Sequence, residues 1–427
     1  MKKQILTILA GMCCLPLLAQ YTVRGGLLAK NDVNNRIEVY LLNGLSNAEI
    51  SFSGQGTHQW YKYNTRTSEA VAIPCLQSGN VSTITNISDG FGYFVGLNYP
   101  NPLPDDPNTT SYVWIIDYSL YASLLYRIET NEDANVCSYL HFSVDAENIA
   151  PLQYSTYNGG KAEIKKTFRL TYNDLAWNED NKTFAPQVKE KITDDLTSLV
   201  VDAPLTNTSF TLIGDNFAEY FGTATTLTTD EYAAVALSVY SDTIQVKTEG
   251  ETENTTEMSA PVEITFNAYA NEPVAGMYIW TIKKKSGETL LRYTGKSVTY
   301  TFEESGDFTA SLEVIGAGSV CDNEGESYDI HIGSSDLQLP NTFSPGSSFG
   351  SNDIYRVAYK SLINFKASIY NRWGNLMYHW EDPAQGWDGR VDGRFVPAGV
   401  YFIVVEATGA DGKKYSQSSD INILRKK

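Results

Sequence analysis

The sequence predicts an all-β protein built from several β-sandwiches in tandem. Tyrosine is frequent, with 28 residues among 427, and runs such as "SVTYTF" and "VYFIVVEA" are β-branched and aromatic. This is the composition of strands. We find no long apolar stripe with the 3.6-residue period of a helix. The length allows two to four domains of about 100 to 200 residues each.

The first 19 residues have the pattern of a removable export signal. "MKK" is a basic start, "ILTILAGMCCLPLL" is an apolar core, and Ala19 precedes a cleavage point before Gln20. A lipoprotein signal is disfavoured because neither Cys13 nor Cys14 follows a small residue. The later apolar run "YVWIIDYSLYASLLY" is interrupted by Asp117, and no later segment reaches the ~18 apolar residues of a membrane span. We therefore expect an exported chain without a transmembrane segment.

The charge is acidic and unevenly distributed. The formal net charge is −18, which disfavours nucleic acid and anionic membrane surfaces as partners. From Pro340 onward the chain has 11 Lys and Arg against 8 Asp and Glu, whereas residues 20–339 have 19 against 42. This change of sign indicates that the C-terminal part is a separate module with its own partner.

Polar segments divide the chain into candidate domains. Residues 247–257, "KTEGETENTTE", lack large apolar side chains, and residues 333–353 are rich in Ser, Gly, Pro and Asn. A weaker boundary lies near residues 144–153. The predicted units are two immunoglobulin-like sandwiches at residues 20–147 and 148–246, a third sandwich at 258–332 and a small C-terminal sandwich at 337–427.

The third unit has the clearest strand pattern. Trp280 lies in the strand "YIWTIKKKSGE", and a hairpin "SVTYTFEESGDFTASLEVIG" follows, in which apolar and polar residues alternate from Phe308 to Val314. These residues resemble a PKD-type immunoglobulin-like domain. The resemblance implies a spacer or interaction module and says little about activity.

The C-terminal unit contains three tryptophans in polar surroundings. In "INFKASIYNRWGNLMYHW", apolar residues alternate along a strand, and Asn371 to Gly374 then form a hairpin turn in which Gly374 can take a positive φ. "GWDGRVDGRFVPAGVYF" adds further turns and the start of a strand. We expect Trp373, Trp380 and Trp387 to form the core of this sandwich, because so small a unit needs large side chains to be stable.

This segment resembles the gliding motility-associated C-terminal domain, the type B sorting domain of the type IX secretion system. The matching stretches are "LPNTFSP…ND", "F.A.IYNRWG", "GWDGR", "PAGVYF" and the closing "ILR". The signature residues are Asn371, Arg372, Trp373, Gly374, Gly386, Trp387, Asp388, Gly389, Gly399 and Tyr401. The resemblance implies that the type IX secretion machinery at the outer membrane reads this domain. It also implies delivery of the protein to the cell surface or beyond.

Three cysteines remain after removal of the signal, namely Cys75, Cys137 and Cys321. Export permits disulfides, and there is no C-x-x-C pair that would suggest zinc. Because Cys75 and Cys137 fall in the same predicted sandwich, we interpret them as a pair and leave Cys321 unpaired. The alternative is that all three are small buried hydrophobic residues.

No motif for catalysis, a cofactor or a metal is found. Ser348 satisfies G-x-S-x-G, but it lies in a polar linker and not between a strand and a helix. The four histidines stand alone and lack metal-ligand spacing: His58, His141, His331 and His379. The carboxylates considered for glycosidic hydrolysis, without any signature, are Asp117, Asp174 and Asp215. We therefore predict that the protein is not an enzyme.

The first unit is rich in aromatic residues: Trp60, Tyr61, Tyr63, Tyr93, Tyr99, Tyr112 and Trp114. A sandwich core is the favoured interpretation. Neighbours such as Trp60 and Tyr61 point to opposite faces of a strand, so a sugar-binding platform stays open as an alternative. The predicted function is that of an adhesin-like binding or spacer protein. The alternatives are a glycan-binding accessory protein, with a glycan or matrix ligand, and a glycan hydrolase in residues 20–246.

Overall fold

The computed structural model describes residues 20–96, 111–131, 135–246, 258–272, 274–318, 320–346 and 352–424. The predicted export signal, the linker at 247–257, Tyr99 and Ser348 lie outside these residues. The all-β prediction is confirmed: one six-residue helix and two 3-10 turns, Thr67–Glu69 and Tyr118–Leu120, accompany the strands of the described chain. No helix in these ranges is long and apolar enough to cross a membrane.

The first sandwich is formed by two sheets, one with the strand order β1-β4-β8-β7 and one with the order β2-β3-β10-β9-β5-β6. The strands are β1 (Gln20–Arg24), β2 (Leu27–Asp32), β3 (Ile37–Leu42), β4 (Glu49–Ser53), β5 (Gln59–Tyr63), β6 (Val71–Ile73), β7 (Leu76–Ser78), β8 (Val81–Ile84), β9 (Phe91–Gly96) and β10 (Tyr112–Asp117). All six residues of β10 are buried, which explains its uninterrupted apolar sequence.

The larger sheet of this sandwich has an apolar core on each face. One face packs against the smaller sheet through residues such as Trp60, Tyr93 and Ile115. The other face, which includes Tyr63 and Trp114, packs against segments from later in the chain. Two buried faces account for the large number of aromatic residues in the first unit.

The second sandwich has sheets of order β11-β12-β17 and β16-β15-β18-β19, with a separate hairpin β13-β14. Its elements are β11 (Leu124–Asn131), β12 (Tyr139–Glu147), β13 (Leu152–Ser155), β14 (Lys161–Ile164), β15 (Phe168–Asn178), β16 (Thr183–Thr193), β17 (Val200–Asp202), β18 (Thr211–Ile213), α1 (Asn216–Phe221) and β19 (Thr226–Thr228). The hairpin and α1 cover the second face of the larger sheet of the first sandwich.

The third sandwich packs a sheet of order β20-β21-β24 on a sheet of order β23-β22-β25-β26. The strands are β20 (Val239–Val246), β21 (Val262–Ala270), β22 (Ala275–Lys284), β23 (Thr289–Thr294), β24 (Ser297–Phe302), β25 (Gly306–Gly316) and β26 (Asp322–Ile332). Trp280 is fully buried, and the inward side chains of β25 alternate as predicted from Phe308 to Val314.

The C-terminal module has a sheet of order β28-β35-β34-β30-β31 and two short pairs, β27-β29 and β32-β33. The strands are β27 (Asp336–Gln338), β28 (Thr342–Phe343), β29 (Ala358–Lys360), β30 (Leu362–Tyr370), β31 (Leu376–Trp380), β32 (Arg390–Val391), β33 (Arg394–Phe395), β34 (Gly399–Gly409) and β35 (Lys414–Ile423). The core of this module is an apolar cluster formed by residues 337–423.

The strand pairing divides the chain differently from the sequence prediction at two points. Strands β11 and β12, which end at Glu147, belong to a sheet with β17 of the second sandwich. Strand β20, which begins at Val239, pairs with β21 of the third sandwich. The second sandwich therefore includes strands that lie before residue 148, and the third includes a strand that lies before residue 247, so the strand pairing differs from the boundaries placed by composition.

Candidate functional site

Trp387 is the structural centre of the C-terminal module. Its side chain is fully buried, and its ring lies 5.6 Å from that of Phe343 and 5.7 Å from that of Tyr401. The indole Nε1 donates a hydrogen bond of 2.9 Å to the carbonyl oxygen of Arg390. Two backbone hydrogen bonds also join Trp387 to Tyr355. The predicted burial of Trp387 is therefore confirmed, and the residue holds two loops together.

Other signature residues of this module also serve its packing. A Cβ on Gly386 would lie 2.4 Å from the carbonyl oxygen of Tyr355, so only glycine fits there. Asp388 accepts a hydrogen bond from the backbone of Arg390 at 3.0 Å, and Gly389 follows it in the same turn. The last two signature residues lie together in β34: Gly399 begins the strand, and buried Tyr401 donates a hydrogen bond of 3.1 Å to the carbonyl of Pro397.

The hairpin turn between β30 and β31 forms as predicted, but its tryptophan is exposed. The side-chain oxygen of Asn371 accepts hydrogen bonds of 3.0 Å from the backbone of Trp373 and Asn375, and Gly374 has a φ of 84°. The Trp373 side chain is 71% exposed, and the Arg372 guanidinium lies 4.3 Å from the centre of its ring. The prediction that Trp373 is a core residue is wrong, because the turn points its side chain away from the sheet.

Further apolar residues are exposed at the same end of the sheet. The strand register places Tyr370 opposite Leu376 on one side and opposite Phe402 on the other. We call the following group the outer patch, with exposed fractions of 71%, 55%, 46%, 46% and 42%: Trp373, Leu376, Val400, Phe402 and Val404. On β34 the outer-patch residues alternate with buried Tyr401, Ile403 and Val405, so the β34 part of the patch lies on the face opposite the core.

A concave surface lies between the second and third sandwiches. Trp177 stacks on Tyr240 with ring centres 4.5 Å apart, and its ring also lies 5.4 Å from that of Tyr269 and 5.3 Å from that of Phe184. The rings of Trp177, Phe184 and Tyr269 border a cavity of about 370 Å³, which we call the junction groove. Its wall is aromatic and comes from both sandwiches.

The charged side chains of the junction groove are paired. Lys296 forms an ion pair with Glu272, and its ammonium lies 5.6 Å from the ring centre of Tyr278. Lys182 lies 3.8 Å from a carboxylate oxygen of Asp242. Burial and the neighbouring Asp242 carboxylate raise the pKa of Tyr269. The groove therefore offers hydrogen-bond donors and acceptors together, without a single dominant charge.

A disulfide between Cys137 and Cys321 covalently joins the two sandwiches that form the groove. The predicted Cys75–Cys137 pair is wrong: Cys75 is a free, partly buried thiol whose pKa burial raises. Cys137 precedes β12, which belongs to the second sandwich and not the first. The Cα atoms of the observed pair are 5.8 Å apart, within the usual range for a disulfide.

A buried asparagine adds hydrogen bonds at the same junction. The Asn271 side chain is fully buried and donates to the carbonyl of Leu205 at 2.7 Å and to that of Ala236 at 3.0 Å. Its side-chain oxygen accepts from the backbone of Ser238 at 2.8 Å. Both ends of this amide are thus satisfied, which fixes the second sandwich against the third.

The first and second sandwiches meet at a buried carboxylate. Asp215 caps helix α1 through the backbone of Phe217 and Ala218, and it accepts hydrogen bonds of 2.8 Å from the Tyr118 hydroxyl. Burial and this carboxylate raise the pKa of Tyr118.

A buried lysine lies near the same junction, beside a cavity of about 380 Å³. The Lys166 ammonium donates hydrogen bonds to backbone carbonyl oxygens, and burial lowers the pKa of this lysine. These polar groups are engaged in holding the junction.

The residues considered for sugar binding or hydrolysis in the first two units are buried or hydrogen-bonded within the fold. The described aromatic residues of the proposed platform are all buried, so that site is not formed: Trp60, Tyr61, Tyr63, Tyr93, Tyr112 and Trp114. Asp117 accepts from the backbone of Gly44, and Asp174 accepts from that of Leu205. Among the described residues, no group of three or more His, Cys, Asp or Glu could hold a metal ion.

The fold defines the class of protein: a chain of immunoglobulin-like sandwiches that ends in a small β-module. Residues 129–229 match the fibronectin type III domain family (Fn3_FA), and residues 337–423 match the CHU_C type IX secretion signal domain. The C-terminal module is therefore a type IX secretion signal, which confirms the resemblance found in the sequence. The protein is exported across the outer membrane to the cell surface or the extracellular space.

A search of the curated proteins found no match. Among solved structures, the chain is similar to a "Ca2+-stabilized adhesin" by which an Antarctic bacterium binds ice, at 12% identity over 95% of this chain and 99% of the adhesin chain. It is also similar to fibronectin(III)-like modules of Clostridium thermocellum CbhA, at 9% identity over 43% of this chain and 95% of that chain. The TM-scores are 0.20 and 0.18, so the domain assignments depend on the family matches.

Proposed function

We propose that this exported chain is an adhesin-like binding protein and that its binding site is the junction groove. The observation that carries the proposal is the meeting of aromatic residues from two sandwiches around a cavity of about 370 Å³. Ligand sites are typically concave, partly apolar and located at domain interfaces. The disulfide between Cys137 and Cys321 limits relative movement of the two sandwiches. This supports a preorganised site, which loses less entropy on binding.

A binding function is better supported than hydrolysis of a glycan by residues 20–246. The carboxylates considered from the sequence, Asp117, Asp174 and Asp215, accept hydrogen bonds from backbone N–H groups. A glycosidase needs two carboxyl groups about 5 to 10 Å apart that face one substrate. These three side chains are explained by their structural hydrogen bonds. In this proposal the first sandwich, with its doubly buried sheet, acts as a spacer.

The ligand class that we propose is a neutral glycan. Aromatic rings such as Trp177 and Phe184 can pack against the apolar faces of sugar rings. Sugar hydroxyls both donate and accept hydrogen bonds, and the paired Lys296 and Glu272 side chains supply both complements. A strongly charged ligand would instead require an excess of one sign. An extracellular matrix protein is the alternative ligand, and the experiment below separates the two.

The test is a glycan and matrix-protein array probed with the full mature chain and two groove variants. Phe184→Ala removes an aromatic wall, and Lys296→Ala removes a donor that is 61% exposed and outside the core. We expect each variant to bind the glycan identified on the array at least about tenfold more weakly than the unchanged chain does. This corresponds to a loss of about 1.4 kcal/mol of binding free energy. Isothermal titration calorimetry with that glycan gives the dissociation constants.

The matched control is Val188→Ala, on the same strand as Phe184 and 73% exposed. Its affinity should equal that of the unchanged chain. Glycan binding that both groove variants retain would refute the groove as the site. Binding to matrix proteins alone would exclude the glycan assignment, and release of reducing ends during incubation would show that the protein is a hydrolase.

A further inference from the structure

The signature residues of the secretion module fall into two groups that differ in burial. Trp387 and Tyr401 are buried and hydrogen-bonded, so the packing of the module explains them. Trp373 is 71% exposed although it belongs to the same signature. A tryptophan with this exposure adds little to the stability of the fold, because burial is the source of hydrophobic stabilisation. Its role is therefore outside the packing of the module.

The exposed group comes from two separate stretches of sequence that the sheet brings together. Trp373 and Leu376 flank the end of the β30–β31 hairpin, and Val400 and Phe402 begin β34. Because Tyr370 pairs with both Leu376 and Phe402, the two stretches meet at one end of one face. Five large apolar side chains, each at least 42% exposed, lie on this turn and on the outer face of these strands. Patches of this kind mark interaction sites.

The patch also borders an open strand edge and carries a positive charge. Among the strands that the structure describes, β31 pairs with β30 alone, so its other edge is available to a partner. Arg372 is exposed and lies over Trp373. The chain from Pro340 onward has more Lys and Arg than Asp and Glu, in contrast to the acidic residues upstream. An acidic partner would attract this module and repel the rest of the protein.

We propose that the outer patch, together with Arg372, is the surface by which a protein component of the secretion machinery binds this export signal. The family match supplies the partner, because a secretion signal is handled by its machinery. The structure supplies the surface: Trp373 and Phe402 as apolar anchors and Arg372 as the charged contact. The component that binds it has an apolar pocket with an acidic rim. Large aromatic residues with a neighbouring arginine are typical anchors of protein interfaces.

The test measures export and folding of full-length variants in the native cells. Trp373→Ala and Phe402→Ala each truncate an exposed ring, and Arg372→Glu reverses a charge that makes no core contact. We expect each variant to accumulate in the periplasm at least tenfold above the unchanged chain. Melting temperatures of the purified variants should match that of the unchanged protein. Deletion of residues 337–427 gives the level expected for complete loss of export.

The matched control is Ile363→Ala, near the opposite end of β30 and 43% exposed. We expect it to be exported normally. Normal export of Trp373→Ala and Phe402→Ala overturns the proposal, whatever their melting temperatures. If these two melt early and are not exported, normal export of Arg372→Glu overturns it and failed export supports it. A dimeric unchanged chain that Trp373→Ala converts to a monomer, as measured by light scattering, assigns the patch to self-association and also overturns it.

Discussion

Trp373 and Trp387 belong to one module and have opposite environments. Trp387 is surrounded by Phe343, Tyr355 and Tyr401, and its Nε1 has a hydrogen-bond acceptor 2.9 Å away. Trp373 lies on a turn, with Arg372 against its ring. The residue type therefore does not show whether a tryptophan of this module is buried. The position of each side chain relative to the sheet determines whether it contributes to folding or is available for recognition.

This contrast leads to a prediction about stability. Trp387→Ala should destabilise the module by about 3–5 kcal/mol, because it removes a fully buried ring and leaves a cavity. That loss is a large part of the total stability of a small domain, so the module should unfold and export should fail. Trp373→Ala should change stability by no more than about 0.5 kcal/mol. Denaturant titration followed by tryptophan fluorescence measures both.

Two results would contradict the packing argument. One is a Trp387→Ala protein with an unchanged denaturation midpoint for the module. The other is loss of the upstream sandwiches in the same transition, since Trp387 belongs to the module's own apolar cluster and the third-sandwich cluster includes only Ala410 from the module. Limited proteolysis distinguishes the cases, because an unfolded module is degraded while the three sandwiches remain.

The sequence predicted burial of Trp387 correctly and burial of Trp373 incorrectly for one physical reason. A small sandwich needs large apolar side chains, and this argument applies equally to every tryptophan in the segment. Only the pairing of β30 with β31 shows that the turn directs Trp373 outward. Pairing depends on contacts between distant residues, and a local pattern of residues does not contain it.

At the scale of elements, the larger sheet of the first sandwich also shows what a local sequence pattern can and cannot predict. The strand "YVWIID" was recognisable from its apolar run, and all six of its residues are buried. That the second face is covered by the β13–β14 hairpin and by α1 was not predictable, because these elements come from the next sandwich. The aromatic residues considered from the sequence as an exposed platform are for this reason divided between two buried cores.

The pairing of the cysteines could not be predicted from the local sequence either. Cys137 and Cys321 are 184 positions apart, and the closer Cys75 was the natural partner under the predicted domain boundary. The strand pairing moves Cys137 into the second sandwich, and the packing of the second sandwich on the third brings Cys321 to it. Because this disulfide depends on how two domains pack, its partners can be identified only from the folded structure.

The disulfide gives a prediction for the junction of these two sandwiches. Cys137→Ser should destabilise it by up to about 5 kcal/mol, the chain-entropy value for so long a loop. We expect differential scanning calorimetry to show a lower transition temperature for the second and third sandwiches. Reduction with dithiothreitol should have the same effect on the unchanged protein. Cys75→Ser is the control, because this thiol is free; an equal shift in the control would refute the assignment of the bond.

At the scale of the whole molecule, buried and partly buried tyrosines predict sensitivity to alkaline pH. Burial raises the pKa of Tyr40, in the first sandwich, to about 12, with a contribution from Glu38. Burial, with Asp174 nearby, likewise raises the pKa of Tyr172, in the second, to about 12. An unfolded tyrosine has a pKa of about 10. Because the folded pKa is raised, the stabilisation is complete below about pH 10 and is lost as the pH rises through about 12.

Tyrosinate absorbance measured from pH 9 to 13 tests this prediction. In the native protein, a fraction of the tyrosines should ionise only above pH 11, together with loss of the far-UV circular dichroism signal. In urea all of them should titrate near pH 10. A native titration curve that coincides with the curve in urea would show that the buried hydroxyls are accessible to solvent.

The disulfide also changes the topology of the chain. Once Cys137 and Cys321 are joined, the residues between them form a covalent ring, and the polypeptide is no longer a linear thread. A ring cannot pass through a narrow channel as a single extended strand. The bond belongs to an oxidising compartment, and the periplasm precedes the outer membrane on the export route. If the bond forms there, the last membrane is crossed by a looped and bulky molecule, and the opening that admits it is wider than one chain.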